Sequence, residues 1–174
     1  MSVVLEHASR DRPGENTRVP LFSKRSAPAD AAPLPRLREI GDPEREWISA
    51  HVELVTRSSA DLDDLDRIRS AYESAVGSWR RINPPERDDP TIMVNAIAMA
   101  FGEHLVRRVP LRWVLADDEH GTELALHSSR PAAFLVPAKL VGRHWAAEDL
   151  SSVFLRVTAE QMVSLFEGRR RSPR

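Results

Sequence analysis

Apolar residues along the chain fall into runs of two different periods. Trp47, Ile48, His51, Leu54 and Val55 recur at helical spacing and predict a helix over 42–57 with one apolar face. Asp42-Pro43 opens it, an N-cap carboxylate followed by a proline that has no donor to leave unpaired. Leu62, Leu65, Ile68, Tyr72, Ala75, Val76 and Trp79 draw a second stripe and predict a helix over 60–82. Asp61, Asp63, Asp64 and Asp66 fall in its first turns and Arg80 and Arg81 at its far end, where each sign complements the helix dipole. Pro84-Pro85 closes it. Asp89-Pro90 repeats the start signal for a third helix over 90–108. Its apolar positions, Ile92 to Val94 and Ala96 to Phe101, wrap nearly all round, which places it at the centre of the fold. Ala98 and Gly102 share one face of it, and a glycine inside a helix costs about 1 kcal/mol relative to alanine, so another element is expected to approach closely there.

Beyond this helix the period changes to two. Residues 112–117, 122–127 and 132–136 read as three strands, with Trp113 and Leu115 on one face of the first and Leu124 and Leu126 on one face of the second. Asp118-Glu119-His120-Gly121 joins the first two, Gly121 supplying a positive φ. Pro137 opens a short helix to about Trp145. Residues 148–167 fit a last helix; the competing reading makes Val153–Val157 a strand, with Thr158-x-x-Gln161 capping a shorter helix. The expectation is a single α+β domain over 42–168: two amphipathic helices and a buried helix, a small antiparallel three-stranded sheet, and one or two covering helices.

Composition changes the picture at the two ends. Residues 1–41 hold Pro13, Pro20, Pro28, Pro33 and Pro35 and an Ala/Pro stretch, and are expected to be disordered, with two short apolar islands at Val3–Leu5 and Val19–Phe22. The near-neutral total conceals a split: 42–168 carries 14 basic and 21 acidic residues, while Arg169-Arg-Arg-Ser-Pro-Arg174 is a basic tail, expected to be disordered. The acidic body repels phosphate, so nucleic acid is expected only through the Arg-rich tail. The absence of cysteine excludes a disulfide scaffold, thiolate metal sites and a cysteine nucleophile. No apolar run is long enough to span a bilayer and the first residues do not read as a signal peptide, so a cytoplasmic protein without membrane contact is expected.

Several polar groups are candidates for chemistry. Glu103-His104 ends the buried helix; a partly desolvated carboxylate there suits a general base, and an end-of-helix pair with Glu103 bonding Arg107 accounts for the same residues. Asp117, Asp118, Glu119, His120 and Glu123 gather oxygen and imidazole donors that suit a divalent cation, but no Asp-x-Asp-x-Asp-Gly loop and no His-x-x-x-His pair is present, and a solvated turn is the plainer account. Asn95 is a polar residue in an apolar helix and needs a partner, at a strand end or on a ligand. Arg143-His144-Trp145 has the composition of an interface hot spot; the plainer reading packs Trp145 on the sheet. His51 reads as a core histidine, and Asp63 and Asp66 as an acidic binding surface on the second helix. There is no Gly-x-Ser-x-Gly, no Ser-x-x-Lys, no phosphate loop and no dinucleotide fingerprint, and nothing calls for a cofactor.

The run Asn95-Ala-Ile-Ala-Met-Ala-Phe-Gly-Glu-His-Leu105, then Trp113-Val, then Asp118-Glu-His-Gly-Thr-Glu-Leu-Ala-Leu126, with Phe134-Leu-Val-Pro137 and Arg143-His-Trp145 following, resembles an uncharacterised bacterial, actinobacterial-type family built on a domain of unknown function. The likeness spans about residues 90–157 and implies the same α+β order. It brings no activity and no catalytic residue. The missing nucleophile motifs and the acidic body with basic ends point to a non-enzymatic protein-interaction module of adaptor, chaperone or immunity type. The alternatives are a small metal-dependent or general-base hydrolase built on Glu103 and the Asp117–His120 turn, and weak nucleic-acid association through the tail.

Overall fold

A computed structural model describes residues 35–57, 61–119 and 121–170. Among the described residues five α-helices and four strands, with a 3-10 turn at Pro84–Glu86, run β1 (Arg36–Glu39), α1 (Asp42–Thr56), α2 (Leu65–Arg80), α3 (Thr91–Arg108), β2 (Arg112–Asp118), β3 (Gly121–Ser129), β4 (Ala132–Leu135), α4 (Pro137–Ala146) and α5 (Val153–Arg170). The strands form one antiparallel sheet in the order β1-β2-β3-β4.

The α+β class and the helix order follow the expectation; the sheet has four strands rather than three. The added strand, β1, lies in the stretch 1–41 that was expected to be disordered. All four of its side chains are exposed, so it leaves no apolar alternation to read. It is held by backbone pairing to β2 and by Arg38 on Asp117, 2.6 Å. Residues 1–34, including both apolar islands, lie outside the described residues. At the other end α5 continues to Arg170, so the basic run begins inside a helix, and 171–174 lie outside the described residues. The helical reading of 153–157 is the one found; α5 begins at Val153 because Glu148 takes a positive φ of 52° and the Asp149 carboxylate accepts the Ser151 amide, 2.9 Å.

α2 starts at Leu65, later than expected, with the Asp64 side chain accepting the Asp66 amide, 3.0 Å. Leu62 nonetheless enters the core from the turn before it. α3 is the central element, packed against α1, α2, α4 and α5. Its residues from Ala96 to Phe101 are all buried, but its first turn is not: Ile92 is 64% exposed. The pairs Trp113↔Leu126, Leu115↔Leu124 and Leu126↔Leu135 place these side chains on the sheet face that joins the main core. Val114, Ala116 and Ala125, on the other face, make a second buried cluster with Val136. Gly121 has φ +133°, as the β2–β3 hairpin requires. His51 is not a core residue: it is half-buried, with Nδ1 2.9 Å from the Trp47 carbonyl one turn back. Among the described residues no helix is long and apolar enough to cross a membrane.

Candidate functional site

The C-terminal half of α3 meets the start of β2 through a three-residue unit. A Cβ at Gly102 would lie 2.3 Å from Trp113 Cζ2, so the indole rests on helix backbone that only glycine leaves bare. The next residue, Glu103, accepts the indole N–H at Oε1, 2.8 Å. The close approach expected at Gly102 is therefore an approach by Trp113.

Glu103 and Trp113 face a cleft of 480 Å³ between α1, the turn before α2, α3 and β2. Ile40, Ile48, Val52 and Leu62 give it apolar walls, and Arg45, Glu53 and Arg107 stand with Glu103 as its charged groups. Arg107 does not pair with Glu103 one turn back. Its guanidinium goes to Asp63, 3.3 Å, and neighbouring Arg108 donates to the Asp63 carbonyl, 2.8 Å. Among the described residues the half-buried Glu103 carboxylate has the Trp113 indole as its hydrogen-bond partner and no cation.

His104 is 2% exposed and donates from Nδ1 to the Leu62 carbonyl, 2.7 Å. It therefore ties α3 to the turn before α2. Burial pushes its pKa down, against the opposing pull of the Leu62 carbonyl, and Arg108 pushes it further down. Protonation thus favours the unfolded chain. The contribution is complete above the ordinary histidine value of 6.5 and is lost as pH falls through the lower folded value. His104→Asn, which keeps a donor near Nδ1, is expected to remove this part of the acid destabilisation while lowering stability at pH 8. Urea midpoints from pH 8 to 5 test it; an unchanged slope in the variant would refute it.

The hairpin does not join this site. Asp117 accepts from the Arg38 guanidinium and the Thr122 hydroxyl, which hold its carboxyl down at about 2. Trp113 and Asp117 sit four residues apart on β2, about 13 Å along a strand, so Glu103 and the turn belong to opposite ends of it. Glu123 pairs with Lys139, 2.6 Å. Asp118 is exposed, and His120 lies outside the described residues. Among the described residues no three His, Asp or Glu side chains come together as metal ligands.

The remaining candidates are scattered. Trp145 is 3% exposed and packs edge-on to Tyr72 and Trp79, with ring centroids 6.0 and 5.8 Å apart; it belongs to the core and not to an exposed patch. Its neighbours differ: Arg143 is exposed, while His144 stacks on Phe154 at 3.8 Å and holds Asp149 at 3.1 Å. The Tyr72 hydroxyl donates to the Asp149 carbonyl, 2.7 Å, and burial pushes it up to about 12. Asn95 is half-buried, and its side chain makes no hydrogen bond among the described residues, so the expected strand-end partner is absent. Asp63 and Asp66 are exposed but paired, with Arg107 and Arg69.

Sequence reasoning missed the cleft because the apolar residues behind it, Ile48 and Leu62, are core residues, 4% and 7% exposed, and carry no mark of an opening beside them. The signal that marks the site is the adjacent pair Gly102-Glu103, where one residue leaves room for a ring and the next offers an acceptor to its N–H.

No curated protein and no solved structure matches the chain. One family model does, over residues 64–154, from the cap of α2 into the first turn of α5. That is just over half of the chain, and it contains Gly102, Glu103, His104 and Trp113. The chain therefore belongs to the family described as Domain of unknown function (DUF3806).

Proposed function

We propose that the protein is a non-enzymatic interaction module, of adaptor, chaperone or immunity type, that takes a segment of another protein into the cleft between α1, α3 and β2. The observation that carries this reading is the lining of that cleft: four aliphatic side chains and an indole, with charged groups at its sides. The other half of the lining, Arg45, Ser49, Glu53, Glu103 and Arg107, is polar, so a segment entering the cleft would meet both kinds of contact. The candidate acid–base groups support it from the other side. Glu103 is bonded to an indole, His104 to a buried carbonyl and Asp117 to Arg38 and Thr122.

The test is a selection of displayed peptides on the immobilised full chain. Ser49 is exposed and lines the cleft, so Ser49→Trp obstructs it without touching the core. Ser74 lines a separate 660 Å³ groove with Leu54, Ala71 and Met93, and Ser74→Trp is the control. Selected peptides are expected to lose about tenfold or more in affinity, about 1.4 kcal/mol, on Ser49→Trp and to keep it on Ser74→Trp. No enriched peptide, or equal losses with both variants, overturns the reading.

A further inference from the structure

We infer that the cleft recognises an alkyl cation, a lysine-like or arginine-like group whose apolar stem lies along Ile48, Val52 and Leu62 and whose charge meets Glu103. The inference rests on the cleft being the recognition site proposed above, and adds the chemistry of what enters it.

Three of the cleft's four charged groups have a partner of opposite sign. Arg45 donates to the Ile40 carbonyl, 3.0 Å, and stands 3.8 Å from Asp42. Arg107 is taken by Asp63, 3.3 Å. Glu53 is taken by Arg57, 3.4 Å. Glu103 is the charge left over. It is half-buried, and its hydrogen-bond partner among the described residues is the neutral indole N–H of Trp113. A carboxylate drawn partly out of water, and not matched by a cation of its own chain, attracts one from a ligand. Glu103 is also held in place: the Trp113 bond and the ring seated over Gly102 fix its carboxylate before anything binds, so little ordering is left for a ligand to bear. The half-buried Val52, beside the edges of Ile48 and Leu62, then favours a cation with a hydrocarbon stem over a bare inorganic ion.

Hexylammonium is the probe, with 1-hexanol and hexanoate as matched controls of the same stem. The readout is the indole N–H resonance of Trp113 in the full chain. Hexylammonium is expected to shift that resonance saturably at millimolar concentration, and the controls are expected to bind at least about tenfold more weakly. Glu103→Gln keeps an acceptor for the indole and removes the charge; a retained indole resonance shows that the variant is folded. In it the preference for hexylammonium over hexanol is expected to disappear.

Peptides selected on the full chain form the second arm, which separates a partner's side chain from a free amine. Their basic residue, replaced by norleucine, is expected to cost about tenfold on the wild type and nothing on Glu103→Gln. Cleft-binding peptides without a basic anchor, together with equal affinities for hexylammonium and hexanol, overturn the cation inference and leave the interaction module standing. A hexylammonium response without any selected peptide does the reverse: the cation site stands and the interaction module falls.

Discussion

Gly102→Ala is expected to destabilise the protein by about 2 kcal/mol, although alanine is the better helix former. Helix propensity alone favours the variant by about 1 kcal/mol. Against this, the new methyl would lie 2.3 Å from Trp113 Cζ2 and 2.4 Å from Cη2. The ring is the far end of a side chain, which would ordinarily let it yield. Here it is 9% exposed and its N–H is bonded to Glu103, so moving it gives up that bond and disturbs the face it shares with Leu126. Overpacking of this kind costs about 1–3 kcal/mol, and a hydrogen bond to a charged acceptor adds about 1.5–3 kcal/mol. The sum exceeds the propensity gain. Urea unfolding would show a lower midpoint at an unchanged slope. The companion variant Trp113→Leu removes the ring that clashes. In that background Gly102→Ala is expected to be neutral or stabilising, and the difference between the two backgrounds measures the contact. A neutral Gly102→Ala in the wild-type background would mean that the indole does not sit where the structure places it.

That contact marks how far the sequence could be read. Glycine in an apolar helix announced an approach, but not by what, because the partner arrives from a strand. Glu103 looked like a base for the same reason: a carboxylate beside a glycine carries no mark of the indole it holds ten residues further on. The helices were legible because their buried faces repeat at 3.6, and the hairpin because Trp113, Leu115, Leu124 and Leu126 alternate. β1 was not, since Arg36–Glu39 buries no side chain and its pairing is a matter of backbone and of Arg38 on Asp117. Period alone also cannot rank indoles. Trp47 and Trp145 both fall on apolar stripes, yet Trp47 is 39% exposed and Trp145 is 3% exposed. The difference lies in the neighbours: Trp145, on α4, sits on Tyr72 and Trp79 of α2, which no local pattern reveals.

The segment between α2 and α3 had no apolar pattern at all, and it contains the residue expected to matter second most. Arg87→Ala is expected to cost about 3 kcal/mol. Its side chain is 14% exposed, all three guanidinium nitrogens donate, and one face of the group lies over Trp79. Nε donates to the Ile82 carbonyl, 3.0 Å, and Nη2 to the Arg80 carbonyl, 3.1 Å, so it closes the end of α2. Nη1 donates to Glu148 at 2.9 Å, and the carbon of the fork lies 4.4 Å from the centre of the Trp79 ring. Glu148 is held on its other oxygen by Arg80, 3.1 Å, and the Arg87 bond leads the effects that keep its carboxyl below the ordinary range. One side chain thus joins the end of α2, the proline turn and the α4–α5 connection. Removing it leaves two α2-end carbonyls without their donor and takes the cover from Trp79, whose ring supports Trp145. Hydrogen bonds to charged groups are worth about 1.5–3 kcal/mol each when solvent is largely excluded, and they are not additive here because they share one fork. Lysine keeps the charge but not the fork, so Arg87→Lys is expected to recover less than half of the loss. High salt is expected to weaken the contact with Glu148, whose carboxylate is 41% exposed, and to leave the bonds to the Ile82 and Arg80 carbonyls in place. Thermal and urea unfolding of wild type, Arg87→Ala and Arg87→Lys in low and high salt would decide it. If lysine restored full stability, the role of Arg87 would reduce to its charge, and the bonds to Ile82 and Arg80 would contribute nothing.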